Sequence, residues 1–208
     1  EVDIKTPNKD KAEDLLKKLL DKGRTAHDKV WLNEDGTQTL EHSLTSTSYQ
    51  DASGVWKDID TNLEDDASHG RLQTKANSWQ ASFGKDNLAA QGVQLTKDGQ
   101  TLAFKPIGGN ASKPVAKGSV PNQTVTYKDA WPGVDLQYEV HGDILKETII
   151  IKNASGIRPS YGFDVTGANL TPDPEQPGGF KLDGKLADFR IAPPTISTKK
   201  DSFPSAQH

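Results

Sequence analysis

Cysteine and methionine are both absent from the 208 residues of this chain. Without cysteine there is no disulfide, no thiolate nucleophile and no thiolate ligand for a metal. The absence of both sulfur-containing residues also removes the side chains that oxidise most easily. This composition suits a protein that works in an oxidising environment, and it favours an extracellular or cell-wall-associated location.

Long apolar runs and basic clusters are missing as well. No stretch approaches the roughly 20 consecutive apolar residues that a transmembrane helix needs, so the sequence predicts no membrane span. Lysine and arginine number 25 against 29 acidic residues, which gives a net charge of -4 with the two signs interspersed. Because nucleic-acid-binding proteins present a basic patch or stripe, we expect no nucleic-acid partner.

The sequence motifs of several common enzyme classes are also absent. The chain contains no HExxH, GxSxG, Walker loop or GxGxxG, and its five histidines lie far apart. Residues 58–66, DIDTNLEDD, place oxygen-bearing side chains at alternate positions, but a calcium loop of the EF-hand type needs glycine where this stretch has Leu63. We expect no catalytic residue, no metal and no cofactor, although the members of a triad can meet in space without a sequence motif.

Hydrophobic residues make up only 33% of the chain, and its mean hydropathy is -0.71. A chain with a low hydrophobic content and many turn residues is more typical of short strands in thin layers than of an α/β enzyme with a large core. The length fits one large all-β domain or two small ones. The sequence therefore predicts a mostly β protein, an antiparallel β-sandwich, with one N-terminal amphipathic helix over residues 6–23.

Turn sequences divide the rest of the chain into short strands. Hairpin turns are expected at four dipeptides, Asp35-Gly36, Ser53-Gly54, Asp98-Gly99 and Asp183-Gly184. Residues 64–77 are polar and read as irregular. The predicted organisation is an N-terminal helix and lead-in, a first β subdomain, a Gly/Pro/Ser-rich loop, a second β subdomain packed on the first, and a tail (residues 1–29, 30–106, 107–123, 124–198 and 199–208).

Two stretches of the chain resemble each other weakly. Residues 49–59, YQDASGVWKDI, and residues 127–136, YKDAWPGVDL, both run Tyr, Asp, Ala, then Gly-Val, then Asp before an aliphatic residue. Two alternatives stay open. The halves are related subdomains, or the same turn chemistry is used twice.

A pair of adjacent charges interrupts the most strand-like part of the chain. Residues 134–140 alternate apolar and polar, and residues 144–152, ILKETIIIK, are expected to return antiparallel with Lys146 and Glu147 in the middle. Whichever face is buried, one of the two charges lies on it, and an unpaired buried charge costs several kcal/mol. The sequence predicts a partner on a neighbouring strand for these charges. Two alternatives are a charge in a binding groove and a Lys–Asn/Asp isopeptide crosslink.

The stretch YKDAWPGVDLQYEVHGDILKETIIIKN, residues 127–153, resembles a segment of large secreted bacterial YD-repeat proteins of the rearrangement-hotspot type. In these wall-associated proteins and polymorphic toxins, a Tyr-x-x-x-x-Pro-Gly-Val-Asp-Leu-x-Tyr strand precedes Lys-Glu and an aliphatic run. Residues 31–63 and the FRIAPPTIS of residues 189–197 are similar to segments before and after it, so the resemblance spans most of residues 30–198. The chain itself has no YD repeat or toxin domain, and the resemblance implies a leading module.

Aromatic residues supply the remaining candidates for a binding site. Trp56 lies inside an alternating strand and is expected in the core, whereas Trp131 precedes a Pro-Gly turn and is expected to be exposed. Because exposed aromatic rings can pack on sugars, we take Asp129, Trp131 and Tyr138 as the candidate ligand-binding residues.

The function expected from these observations is that of a non-enzymatic extracellular structural or interaction module of a bacterial surface or toxin-delivery protein. Its expected partner is the rest of the parent polypeptide or another surface protein. A carbohydrate-binding module for cell-wall or host glycan is the alternative, and a glycosidase is a third. An aromatic groove would favour carbohydrate binding, and two cleft carboxylates roughly 5–10 Å apart would favour the glycosidase.

Overall fold

The computed structural model describes residues 22–33, 35–117 and 123–197, apart from the side chain of Gln123. Strands account for 49% and helices for 7% of the structure, which makes the chain mostly β, as predicted. The predicted N-terminal helix lies outside the described residues except for Lys22 and Gly23, which are helical. The part of the chain that the structure describes contains no helix long and apolar enough to cross a bilayer.

The strands are numbered along the chain as β1 Asp28–Leu32, β2 Gln38–His42, β3 Ser48–Gln50, β4 Trp56–Asp58, β5 Asp60–Asp66, β6 Arg71–Ala76, β7 Gln80–Gly84, β8 Val93–Lys97, β9 Gln100–Pro106, β10 Pro114–Lys117, β11 Gln123–Trp131, β12 Val134–Val140, β13 Leu145–Ile151, β14 Phe163–Thr166, β15 Thr171–Pro172, β16 Phe180–Lys181 and β17 Arg190–Ile191. A short helix, α1, spans Leu88–Gln91, and two 3-10 turns span Ala154–Gly156 and Gly184–Leu186.

These strands form two larger sheets and three small ones, with antiparallel pairing throughout. The six-stranded sheet has the order β14-β9-β8-β7-β6-β5, and the four-stranded sheet has the order β10-β11-β12-β13. The small sheets are β1-β2, β3-β4 and β15-β16-β17. Because β14 pairs with β9, the two halves of the chain share a sheet.

Glycine conformations confirm three of the predicted hairpin turns. Gly36, Gly54 and Gly99 have φ angles of 82°, 79° and 82°, in the left-handed region that glycine adopts without strain. The prediction of a hairpin turn at Asp183-Gly184 is wrong. Gly184 starts a 3-10 turn instead, and strand pairing with β16 resumes only at β17.

Two segments expected to lack regular structure contain strands. Residues 64–77 hold the end of β5 and all of β6, and residues 107–123 include β10. The prediction failed because both segments are polar, yet backbone pairing needs no apolar side chain. β10 is an edge strand that starts at Pro114, a position where a missing N–H is tolerated.

One hydrophobic cluster draws on both larger sheets. The strands of the six-stranded sheet contribute five buried residues to it: Ala81, Phe83, Val93, Leu95 and Leu102. The four-stranded sheet contributes residues from β11 and β12: Val125, Tyr127, Ala130, Trp131, Val134, Leu136, Tyr138 and Val140. The predicted alternation of β12 is confirmed, since its seven positions alternate between buried and half-buried.

Candidate functional site

Trp131, predicted to be exposed, is buried in the core. Its side chain is 1% exposed, and its ring meets those of Tyr161 and Phe163 edge-on, with centroids 5.3 and 5.7 Å away. Its Nε1 donates a hydrogen bond of 3.0 Å to the carbonyl oxygen of Ile107. The prediction of exposure is wrong, and the ring has no free face for a sugar.

A bulge explains why Trp131 faces inward. The pairing of β11 with β12 shifts register between Tyr127 and Trp131, and Asp129 has a φ of 49°. As a result Ala130 and Trp131 are both buried although they are neighbours, which simple strand alternation forbids.

The other two predicted ligand-binding residues lie in different surroundings. Tyr138 is 2% exposed, and burial raises the pKa of its hydroxyl well above the usual value. Asp129 is exposed, and its Oδ1 lies 2.7 Å from the Nζ of Lys152. Asp129, Trp131 and Tyr138 therefore do not form one exposed site.

Lys152, which follows the last residue of β13, forms ion pairs with Asp129 at the bulge and with Asp135. Its Nζ lies 2.7 Å from Asp129 Oδ1 and 2.8 Å from Asp135 Oδ1, and the hydrogen bond to Asp129 raises the pKa of the amine. Lys152 and the two aspartates form an ion-pair cluster on the exposed surface.

The adjacent charges of β13 have different partners on β12. Lys146 Nζ lies 3.5 Å from both carboxylate oxygens of Glu139, on the face away from the core. Glu147 lies on the same face as Leu145 and Ile149, and its Oε2 accepts a hydrogen bond of 2.8 Å from the Tyr138 hydroxyl. Desolvation raises the pKa of Glu147, and the Tyr138 hydrogen bond opposes that rise. Glu147 itself is exposed, because β13 is an edge strand of the sheet.

Asp66, Ser68 and His69 bring together the three residue types of a hydrolytic triad. The Nδ1 of His69 lies 2.7 Å from Asp66 Oδ2 and 2.9 Å from Ser68 Oγ. In a triad the two ring nitrogens contact the acid and the nucleophile separately, so this grouping closes the β5–β6 turn and lacks triad geometry. Within residues 22–33, 35–117 and 123–197, no three His, Asp or Glu side chains gather as a metal-binding group.

Arg71 is a buried charge that no sequence motif identifies. It is 7% exposed, and its guanidinium donates to Ser82 Oγ and to three backbone carbonyls, those of Ser82, Gln91 and Gly92, at 2.9–3.0 Å. Burial lowers its pKa. Arg71 joins β6, β7 and the end of α1, and its role is structural.

An open groove of about 420 Å³ lies beside the β3–β4 hairpin and the turn between β12 and β13. Tyr49, Trp56 and Phe189 are half-buried residues of its lining, with polar residues that include Asn77 and Asp143. The β3–β4 register places the side chains of Tyr49 and Trp56 on opposite faces of the hairpin. Trp56, expected in the core, is half-buried because it belongs to a two-stranded hairpin outside the larger sheets.

Contacts between distant segments hold the groove in shape. The carbonyl oxygen of Gly142 accepts hydrogen bonds from Asn77 Nδ2 at 2.6 Å and from Trp79 Nε1 at 3.0 Å. The Trp79 ring meets Phe189 edge-on, with centroids 5.8 Å apart. A Cβ on Gly142 would lie 1.6 Å from the carbonyl oxygen of Ser46, so the turn packs directly against the chain that leads into β3.

One ion pair crosses the groove wall. Lys97 Nζ lies 2.7 Å from Asp188 Oδ2 and 5.6 Å from the centroid of the Phe189 ring. The hydrogen bond from Lys97 lowers the pKa of Asp188, so this carboxylate stays ionised. The lining thus combines aromatic residues with hydrogen-bonding side chains, the mixture typical of sites for polar ligands.

No family profile, curated protein sequence or solved structure matches this chain.

Proposed function

We propose that this chain is a non-enzymatic extracellular module of a bacterial surface or toxin-delivery protein of the YD-repeat type. Its work is structural, and its partner is the rest of the parent polypeptide or another surface protein. One observation carries the proposal. In the segment that resembles this family, residues 127–153, large side chains such as Trp131, Leu136 and Tyr138 are buried in the core. The charged residues of the segment form contacts between neighbouring strands.

We also infer that the two larger sheets stack as a β-sandwich. The support is the cluster that both sheets share, with the rings of Phe83 and Tyr138 5.9 Å apart. A hydrogen bond also joins the two sheets. The Tyr127 hydroxyl on β11 donates it to the carbonyl oxygen of Gly84 on β7, over 2.9 Å.

Fractionation of the source bacterium tests the module proposal. Antibodies raised against this chain are expected to detect, in the cell-wall or culture-medium fraction, a polypeptide much larger than the 22.6 kDa of the chain. A cytosolic protein serves as the control for cell lysis. A 22.6 kDa band confined to the cytosol would contradict the proposal.

Carbohydrate binding is the second candidate function, and the groove lined by Tyr49, Trp56 and Phe189 favours it. Its test is retention of the purified chain on isolated bacterial cell wall and on insoluble polysaccharides. Saturable retention supports this function, and passage through every matrix counts against it.

A further inference from the structure

We propose that the N-terminal segment, residues 6–21, packs the apolar side of its predicted helix on one face of the β1–β2 hairpin. That face, here called the hairpin face, carries the side chains of Val30, Leu32 and Leu40. The occupant of the hairpin face is then a part of the same chain. This contact goes beyond the module function proposed above and does not depend on it.

The hairpin face consists of apolar side chains on one side of two paired strands. Val30 lies opposite Leu40, and Leu32 lies opposite Gln38, in the antiparallel register, so these side chains project to the same side of the sheet. Leu40 is 66% exposed, and every residue of β2 is exposed. Among the described residues, the core cluster includes no member of either strand.

A hairpin of this size needs cover. β1 and β2 form a sheet of only two strands, and an isolated two-stranded hairpin is marginally stable in water unless it packs against a helix or further strands. The opposite face already has polar contacts, since Lys29 Nζ lies 2.9 Å from Asp58 Oδ1 and Trp31 Nε1 donates 2.9 Å to Glu41 Oε2. The hairpin face is therefore the side that still needs cover.

The end of a helix already contacts the hairpin face. Lys22 and Gly23 are helical, and a Cβ on Gly23 would lie 2.6 Å from Val30 Cγ2. The N-terminal segment thus joins the described chain at the surface that it would cover. Because short tethers give effective concentrations on the order of millimolar, the segment has an advantage over a second copy of the chain at micromolar concentration.

The N-terminal segment has an apolar side of matching length. Its apolar residues recur at the spacing of one helix face: Ala12, Leu15, Leu16, Leu19 and Leu20. A helix over residues 6–21 would be about 24 Å long. The five-residue strands of the hairpin span about 17 Å, so such a helix is long enough to cover the hairpin face.

Disulfide crosslinking of the full chain tests this contact, since the natural sequence has no cysteine. Leu40→Cys is combined with Leu16→Cys in one variant and with Leu19→Cys in another. Each variant is oxidised mildly and analysed by non-reducing electrophoresis and mass spectrometry. We expect an intramolecular disulfide in at least one of the two variants.

The matched control for crosslinking combines Leu40→Cys with Asp14→Cys. Asp14 lies two residues before Leu16, on the opposite side of the predicted helix. We expect no intramolecular disulfide in this control, because cysteines whose Cα atoms are more than about 7 Å apart cannot be bridged.

Hydrogen exchange gives a second readout without introduced cysteines. Leu16→Ala keeps helix propensity and removes most of the apolar side chain. It is expected to speed amide exchange in β1 and β2 about tenfold, because the hairpin loses part of its cover. Lys18→Ala is the matched control and should leave these rates unchanged within about twofold. The amides of β12 report in the same experiment whether the core is folded.

Three outcomes would overturn the proposed contact. A Leu40→Cys disulfide that forms between two chains in preference to both intramolecular pairs would assign the hairpin face to a second copy. Equal crosslinking of Asp14→Cys and Leu16→Cys, or no disulfide in any folded variant, would show that the leucines do not face the hairpin. Equal exchange rates for the hairpin amides in Leu16→Ala and Lys18→Ala would show that the segment does not cover it.

Discussion

Lys146 and Glu147 are neighbours in the sequence, but their side chains depend on different physical contacts. Lys146 makes an exposed ion pair with Glu139, and such pairs contribute about 0–1 kcal/mol because solvent screens them. Glu147 accepts a hydrogen bond from a tyrosine hydroxyl that is buried with its ring. A buried polar group that loses its partner costs about 1–3 kcal/mol, so the tyrosine–glutamate contact matters more to the fold than the visible ion pair.

Glu147→Ala is expected to lower the free energy of unfolding by about 1–2 kcal/mol, because the buried Tyr138 hydroxyl loses its acceptor. Lys146→Ala is expected to lower it by about 0.5 kcal/mol or less. Urea unfolding at pH 7, followed by tryptophan fluorescence, measures both. Equal losses in the two variants would contradict this ranking.

Elements as short as the β12–β13 turn depend on distant parts of the chain. Gly142 has a backbone conformation open to other residues, yet any side chain there would collide with the backbone at Ser46. The constraint therefore comes from packing between two elements. Gly36 is the opposite case, because it has open space around its Cα but a φ of 82°.

Gly142→Ala should destabilise the protein by about 3 kcal/mol or more, since overpacking against backbone cannot be relieved by a side-chain rotation. Gly36→Ala should cost about 1–2 kcal/mol, the cost of a left-handed conformation for a residue with a Cβ. Thermal and urea unfolding of the two variants give the comparison. A Gly142→Ala variant as stable as Gly36→Ala would show that the turn does not pack on β3 in this way.

Across the whole molecule, hydrogen-bonded carboxylates dominate the pH dependence of stability. Among the described residues, hydrogen bonds lower the pKa of seven aspartates, at positions Asp28, Asp35, Asp51, Asp66, Asp135, Asp183 and Asp188. A folded-state pKa below the unfolded value gives stability that is present above the usual aspartate pKa and is lost as the pH falls through the folded value. Glu147 has the opposite sign, because its pKa is raised and its protonation favours the folded state.

We therefore expect the free energy of unfolding to change little between about pH 7 and 5 and to fall steeply below about pH 4, the usual range of aspartate titration. Urea midpoints measured between pH 3 and 7 test this. Asp51→Asn, which removes one of these seven carboxylates, should show a shallower decline than the parent chain. A midpoint that rises on acidification below pH 4 would contradict the expected sign.

Much of the mostly β architecture could be predicted because its causes are local. An Asp-Gly or Ser-Gly pair supplies the left-handed residue of a turn, as at Gly36, Gly54 and Gly99. Alternation over seven residues of β12 identifies its buried face. The division of the chain at residues 107–123 stays a prediction, although β14 and β9 join the two halves in one sheet.

The candidate site could not be predicted, because its parts are far apart in the chain. The groove combines Tyr49, Trp56, Asn77, Asp143 and Phe189, and no short pattern connects them. Trp131 was misplaced for a related reason, since a bulge at Asp129 breaks the alternation from which exposure is inferred. Turn chemistry and strand period depend on a few adjacent residues and are set by the order of amino acids. Which aromatic rings enter the core and which remain at a groove depends on how separate sheets meet, and only the tertiary structure decides that.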